Sequence, residues 1–427
     1  MFEIPGQYST ARVYANVGIE QGAYAQIQAF VNHAAFIGSN ISIMPDVHEG
    51  KGAVIGFTAT LPPEGKIIPN IVGVDVGCTV MAYPLFINLK TFLKKVAILN
   101  GFIIGSIPSG MTVRESSYPR KNLAVITKKY FSNRFYSWYD DVERVVKLTN
   151  QDMAYVAKSI GTLGGGNHFI EVDVDEEDMV WLIIHSGSRN FGLKVANFFQ
   201  RLAYKTLTSV DVSGKIAEIK ATKKGKDIEE AIKALKRAAI LSVPRDLAYL
   251  EGANAKQYLD CMQVAQDFAA VNCRVMAAEI LPLFDLKFEE DCVIESTHNY
   301  IDLDQKIIRK GAIAANKGQP VLIPLTMKAG IILGVGKGNP DWNFSAPHGA
   351  GRKLSRKKAK NTIKLADYKK EMEDSGVWTT SVSKATLDEA PGAYKDPQEI
   401  IDAIGDSVEI SQIMRPVYNY KDSPEEK

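Results

Sequence analysis

Cysteine is scarce in this chain: four in 427 residues, Cys78, Cys261, Cys273 and Cys292, with no Cys-x-x-Cys pair. That count excludes a small disulfide-stapled framework and makes a reducing compartment, the cytoplasm, the expected location. No uninterrupted apolar run is long enough to cross a bilayer, so no membrane partner is expected. The first residues, Met1-Phe2-Glu3-Ile4-Pro5-Gly6-Gln7, have no basic region followed by an apolar one, and no signal peptide is expected. Charge of one sign is missing too: 51 Lys and Arg against 49 Asp and Glu leave a formal net charge of +2. Any polyanion must therefore be met by a local patch and not by the molecule as a whole. Repeats and low-complexity linkers are absent, and a 46% hydrophobic, 23% charged composition is that of an ordinary globular protein. One large domain over 1–427 is expected, with 211–239 a charged helical insertion.

What is present is chemistry concentrated in short glycine-rich stretches. In Val72-Gly73-Val74-Asp75-Val76-Gly77-Cys78 the glycines permit a sharp turn. An acid and a soft thiolate three residues apart then make half of a metal site. Pro45-Asp46-Val47-His48-Glu49-Gly50-Lys51-Gly52 follows a short apolar strand over 41–44, as either a functional loop or a tight turn. Gly161 to Glu171 exposes backbone N–H groups to an anion and adds Asn167, His168 and Glu171. No Gly-Lys-Ser/Thr follows, so it is not a Walker loop. A strand over 180–184 ends at His185-Ser186-Gly187-Ser188-Arg189, a strand from 293 leads to His298, and His348 stands before Gly349, sterically open as a nucleophile must be.

Five of the six histidines fall in such loops or strand ends; the sixth, His33, is expected on a packed helix over 20–37. Histidines that merely fill a core would not avoid regular elements in this way. The economical inference is one site built from Asp75, Cys78, His168, His185 and His298. Five ligands of mixed O, S and N type exceed the needs of one tetrahedral ion, which points to two neighbouring ions bridged by the thiolate. A single structural zinc is the alternative.

Elsewhere the apolar spacing predicts helices over 89–99, 142–160, 190–207 and 253–281 and strand-like runs over 53–61 and 67–76. Cys261 and Cys273 are read as packing groups. Between Arg114 and Tyr139, basic residues alternate with Tyr118, Tyr130, Phe131, Phe135, Tyr136 and Trp138. This is either a surface for single-stranded nucleic acid or, the favoured reading, an aromatic helix face with solvated charges.

Seven motifs lie in order along most of the chain: MPDVHEGKG (44–52), GVDVGC (73–78), LGGGNHFIEV (163–172), HSGSRNFG (185–192), HNY (298–300), PHGAGR (347–352) and AYKD (393–396). Together they resemble the motifs of the RtcB-type RNA ligases. The resemblance implies an α+β domain of mixed sheets and flanking helices, and a ligase that uses GTP and two Mn²⁺ ions. Its partners would be RNA ends carrying a 2',3'-cyclic phosphate or 3'-phosphate and ends carrying a 5'-hydroxyl, in tRNA splicing or RNA repair. An accessory activating protein is a further partner class.

Position by position, the resemblance makes His348 the catalytic residue that takes GMP from GTP. Cys78 would bridge the ions, with Asp75 and His168 on one and His185 and His298 on the other. The nucleotide would meet Asn167, His168, Phe169, Ile170, Glu171, His298, Asn299, Pro324, Leu325, Thr326, Met327, His348, Gly349, Ala350, Gly351 and Lys395. Manganese comes from the resemblance alone, since thiolate and imidazole ligands favour zinc. The chain departs from the family at Pro324-Leu325-Thr326-Met327-Lys328, where Leu325 and Lys328 stand for two glycines, and at Ile331, where a serine is expected. A metal-dependent phosphoesterase acting on RNA ends and a weakened RNA-binding scaffold are the other function classes.

Overall fold

Alternation of apolar side chains builds one large, mixed sheet, here described from a computed structural model over residues 1–15, 18–132, 134–207, 212–238 and 244–423. The strands are β1 (Phe2–Pro5), β2 (Thr10–Val13), β3 (Ile41–His48), β4 (Ile55–Thr60), β5 (Thr79–Asn88), β6 (Phe169–Val174) and β7 (Met179–Ser186). They continue with β8 (Ile294–Asp302), β9 (Ile307–Ala314), β10 (Pro320–Pro324), β11 (Ile331–Gly336), β12 (Ser345–Pro347), β13 (Trp378–Thr379) and β14 (Val408–Tyr420). Their order is β1-β2-β3-β4-β9-β8-β5-β7-β6-β14-β11-β10, with β12 beside β9 and β13 beside β14. Pairing is antiparallel except at β2/β3 and β13/β14.

The central strands are apolar on both faces, which tells where the layers lie. On β5, Met81, Tyr83 and Leu85 join one core with Leu182, Ile184, Ile170 and Val172 under the helix Gly252–Ile280. Val80 and Ala82 point the other way and pack with Phe169, Ile183, Leu322, Ile331 and Met414. The second set is possible only because the β10–β11 end of the sheet folds back across its middle. A hydrogen bond from the Leu322 N–H to Ser296 Oγ, 2.8 Å, fastens β10 over β8. The ends of β3, β5, β7 and β8 consequently face one concavity.

Several elements depart from the expected ones. Residues 67–76 are not a strand: Pro69 opens a short helix, Pro69–Val72, and Gly73 at φ 87° ends it. Proline suits a first helical turn and withholds a donor from a ladder. The helix expected over 142–160 is two, Phe135–Leu148 and Met153–Lys158, separated at Asn150 (φ 53°) and restarted by an Asp152 side-chain cap. His33 lies past the end of its helix, Gln21–Val31, and caps the next turn by accepting from the Ala35 N–H at 3.1 Å. β3 runs through Pro45 and Asp46 to His48, where a loop was expected.

In the basic and aromatic segment, Phe131, Phe135, Trp138 and Tyr139 are buried, and Trp138 and Phe268 of the long helix face each other at 6.4 Å. An aromatic helix face is what these residues form. Cys261 and Cys273 are buried on the same long helix. The stretch expected as a charged helical insertion holds two adjoining helices, Val212–Thr222 and Lys226–Ala238; its end positions 211 and 239 lie outside the described residues. Among the described residues, no helix is long and apolar enough to cross a membrane.

Asn272 pins the glycine-rich stretch to the helix. Its Oδ1 accepts from the Gly161 and Thr162 N–H groups at 2.7 and 3.0 Å, and its Nδ2 donates to the Thr162 carbonyl at 2.9 Å and Ser186 Oγ at 3.0 Å. Asn272→Leu would strand two buried N–H groups at about 1–3 kcal/mol each. Urea unfolding should show a stability loss on the order of 3 kcal/mol; a change below about 0.5 kcal/mol contradicts this role.

Candidate functional site

The loop after the helix Pro69–Val72 can reach the sheet only through a tight turn. Gly77, at φ 66°, makes it, and a Cβ there would sit 2.5 Å from Gln266 Cα on the long helix. The turn is stitched to β8: the Gly77 N–H donates to the Asn299 carbonyl at 2.9 Å and the His298 N–H to the Cys78 carbonyl at 2.8 Å. Asn299 adopts φ 61°, interrupts the β8/β9 register, and donates from Nδ2 to the Asp75 carbonyl at 3.2 Å. One irregularity in β8 therefore sets the positions of Asp75, Cys78 and His298 together.

Cys78 is fully buried, with Sγ 3.2 Å from His185 Nε2 and 3.4 Å from His168 Nε2. His168 Nε2 is 3.0 Å from Asp75 Oδ2. The donor atoms fall into two groups that share the sulfur, Cys78 with His185 and His298, and Cys78 with Asp75 and His168, each within 4.8 Å. His168 Nδ1 lies 3.0 Å from the Leu163 carbonyl, an acceptor only, so Nδ1 carries the proton. In a neutral ring Nε2 then aims a lone pair at a carboxylate and a sulfur. Three lone pairs this close require a positive charge among them, a proton or a metal ion. The second group makes the same demand, since His298 Nδ1 is buried without a hydrogen-bond partner among the described residues. The donor set fits divalent metal ions.

The surroundings sharpen that demand. Burial pushes the His185 and His298 pKa values well down, aided by neighbouring imidazoles, which favours neutral rings with a lone pair free for a metal ion. Burial, then the Asp75 charge, pushes the Cys78 thiol well up. Burial also opposes ionisation of Asp75, yet His168 outweighs it and holds the carboxyl below the usual range. Lys310 lies beside them, its Nζ 3.4 Å from the Val72 carbonyl, with burial lowering it to about 8 against the pull of Asp75 and Cys78.

A cavity of about 800 Å³ opens from this centre. Asp75, His185, His298, Asn167, Phe169, Glu171 and Asn299 line it, together with Pro324, Leu325, Thr326, Met327, His348, Gly349, Ala350 and Gly351. Cys78 and His168 lie behind that wall. Three expected nucleotide residues do not line it: besides His168, Ile170 points into the core under the long helix, because β6 alternates. Lys395 Nζ donates to the Pro45 and Val47 carbonyls at 3.0 and 2.8 Å, bracing β3.

His348 stands at the junction of cavity and metal-ligand cluster, its ring 4.9 Å from that of His298. Its Nδ1 lies 2.7 Å from Asp46 Oδ2, and Asp46 is fully buried on β3. Gly351, at φ 74°, allows the approach, since a Cβ there would meet the Asp46 carbonyl oxygen at 2.3 Å. A carboxylate holding Nδ1–H leaves Nε2 as the basic nitrogen. Asp46 carries no role in the sequence reading, although it sits in one of the seven motifs; its proximity to residue 348 needed the fold. Arg352, Arg356, Tyr394, Asn419 and Lys421 also line the cavity unannounced. Only Arg352 and Tyr394 lie within motifs, so only they carried a signal.

The profile of the family described as tRNA-splicing ligase RtcB matches residues 26–422. The RNA-splicing ligase RtcB of Escherichia coli (strain K12) is 31% identical over 91% of this chain and 92% of its own. The tRNA-splicing ligases RtcB of Nanoarchaeum equitans and Aeropyrum pernix are 30% and 26% identical, over 84% and 88% of this chain and 83% and 86% of theirs.

Because both ligand groups depend on one sulfur, Cys78→Ala should lower metal content at both at once. Elemental analysis after dialysis against limiting Mn²⁺ or Zn²⁺ is expected to drop toward zero. Retention of one tightly held ion per chain would mean the groups are independent.

Proposed function

The chain belongs to the tRNA-splicing ligase RtcB family, and from that premise we propose that it is an RNA ligase working through a guanylylated His348. The substrates are RNA ends bearing a 3'-phosphate, or a 2',3'-cyclic phosphate opened to it by hydrolysis, and ends bearing a 5'-hydroxyl. GTP drives the joining, in tRNA splicing or RNA repair in the cytoplasm. The observation that carries this reading is the 2.7 Å contact between His348 Nδ1 and the buried Asp46, at the edge of a five-ligand cluster and a nucleotide-sized cavity.

With Nδ1–H held by Asp46, His348 Nε2 attacks the α-phosphorus of GTP; the P–N bond forms as the bond to the β-phosphate oxygen breaks and pyrophosphate leaves. Asp46 stabilises the positive charge that grows on the ring, as a carboxylate does for any imidazole changing its charge in place. The RNA 3'-phosphate oxygen then takes the GMP, breaking P–N and returning the histidine. The 5'-hydroxyl oxygen attacks the activated 3'-phosphorus and gives up its proton to solvent as the bond to GMP breaks and GMP departs. Divalent ions held by Asp75, Cys78, His168, His185 and His298, Mn²⁺ on the family resemblance, would supply Lewis-acid charge at phosphate oxygens. Asn167 and the Gly349-Ala350-Gly351 backbone, which line the cavity, would meet the phosphates, and Glu171 and Phe169 the base. Leu325 and Lys328 leave their loop less backbone freedom than glycines would.

The test is covalent labelling by α-labelled GTP with Mn²⁺, followed by joining of defined RNA ends. Wild type should label and His348→Ala should not. Asp46→Asn should label more slowly by on the order of 10³-fold, since an amide can hold the wrong tautomer. Labelling that persists in His348→Ala would defeat the mechanism, and phosphate removal from RNA ends without any adduct would favour the phosphoesterase reading.

A further inference from the structure

β6 carries two acids on one face. Ile170, Val172 and Val174 enter the core under the long helix, so Phe169, Glu171 and Asp173 share the face toward the cavity side. Glu171 is 2% exposed and Asp173 0%. Glu171 lines the cavity and accepts from Asn419 Nδ2 at 2.5 Å. Asp173 does not line it, and neither of its carboxyl oxygens has a hydrogen-bond partner among the described residues.

An ionised carboxylate buried without a donor is costly enough that such a group takes up a proton instead. A protonated carboxyl in turn needs an acceptor. Most of its neighbours are apolar or already engaged. Trp181, paired with Asp173 across β7, has its indole N–H committed to Asp175 at 2.7 Å. Ile183, Leu322, Ile331 and Met414 around this face are apolar. From β14 come Asn419, whose Nδ2 donates to Glu171 and whose Oδ1 has no partner among the described residues, and Arg415, which acts on Asp173 through space; after β14 comes Lys421, 3.7 Å from Glu389 and near Arg356. Glu171, two residues away on the same face and within side-chain hydrogen-bonding reach of Asp173, is the acceptor.

We propose that Asp173 is a positioning residue for base selection: protonated, it donates to Glu171 and holds the Glu171 carboxylate ionised and aimed at a base edge with two adjacent N–H donors. Guanine offers that edge through N1–H and its 2-amino group, whereas adenine offers an acceptor where N1–H would be. The inference rests on the guanylylation reading. Burial raises Glu171 to about 7, with Asn419 and Lys421 opposing, and raises Asp173 well above its usual range, by burial first and by Glu171 next. As pH rises through about 7 the pair loses its first proton from Glu171, which then binds guanine; as pH falls below it, the acceptor is lost.

Adduct formation is measured against GTP, ITP and ATP concentration across the neutral range for wild type, Asp173→Asn and Asp173→Leu. Asp173→Asn keeps a neutral donor, so the acid rise in KM for GTP should stay within about half a unit of wild type with kcat unchanged, whereas Asp173→Leu should move it to higher pH by about one unit. Asp173→Leu removes the donor and should raise KM for GTP about tenfold, with a smaller change for ITP, which lacks the 2-amino group. Identical acid limbs in all three proteins, or equal losses in KM and kcat, overturn the inference while leaving guanylylation intact. If wild type forms no adduct with any nucleotide, the guanylylation reading falls and this inference with it. Infrared difference spectra guard against variants that fail to fold. Wild type above about pH 8 should keep one protonated-carboxyl band, assigned by its shift on isotopic labelling of aspartate, and its absence also overturns the proposal.

Discussion

The arrangement depends on lone pairs forced together in a dry place. Cys78 is fully buried with two imidazole nitrogens 3.2 and 3.4 Å from its sulfur, and Asp75 closes on one of them from the other side. Packing alone would push such groups apart. They converge because the backbone around them is fixed elsewhere, at the Gly77 turn, at Asn299 in β8 and at the Asn272 carboxamide beneath the glycine-rich stretch. A positive charge among them is therefore what the scaffold is built to receive, and the need for it follows from the geometry whichever ion fills it.

The curled sheet explains why the remaining parts are within reach. Folding β10 and β11 back over β5 and β8 makes a concavity whose floor is strand and whose rim is loop, so a nucleotide entering it meets rigid side chains. Asp46 on β3 and His348 after β12 come from opposite ends of the chain and meet there at 2.7 Å. The same curl buries Glu171 at the cavity wall and Asp173 behind it on the same strand face.

Much of the site was legible because its chemistry is carried by residue types that a core rarely uses. Histidines at strand ends and beside glycines, with one acid and one thiol in a glycine turn, identified five residues that the fold brings together. What failed was local inference where tertiary context decides. Residues 67–76 look like a strand by their apolar content, yet Pro69 and Gly73 dictate a helical turn. Ile170 sits inside a motif but on the wrong side of an alternating strand, and Lys395 spends its amine on backbone carbonyls. Asp46 and Asp173 could not be read at all, since an acid next to a proline, or one closing a hydrophobic strand, is unremarkable until its partner is known. Lys310 is a similar case, an amine beside the ligand cluster that only the sheet register places there.

The central claim is that one thiolate serves two ions. X-ray absorption at the metal edge of protein loaded to two equivalents tests it most directly. The account predicts that both ions carry a sulfur neighbour at about 2.3–2.5 Å, with a second metal at about 3.5–4 Å. Half the ions lacking sulfur, or no metal–metal vector, would contradict it.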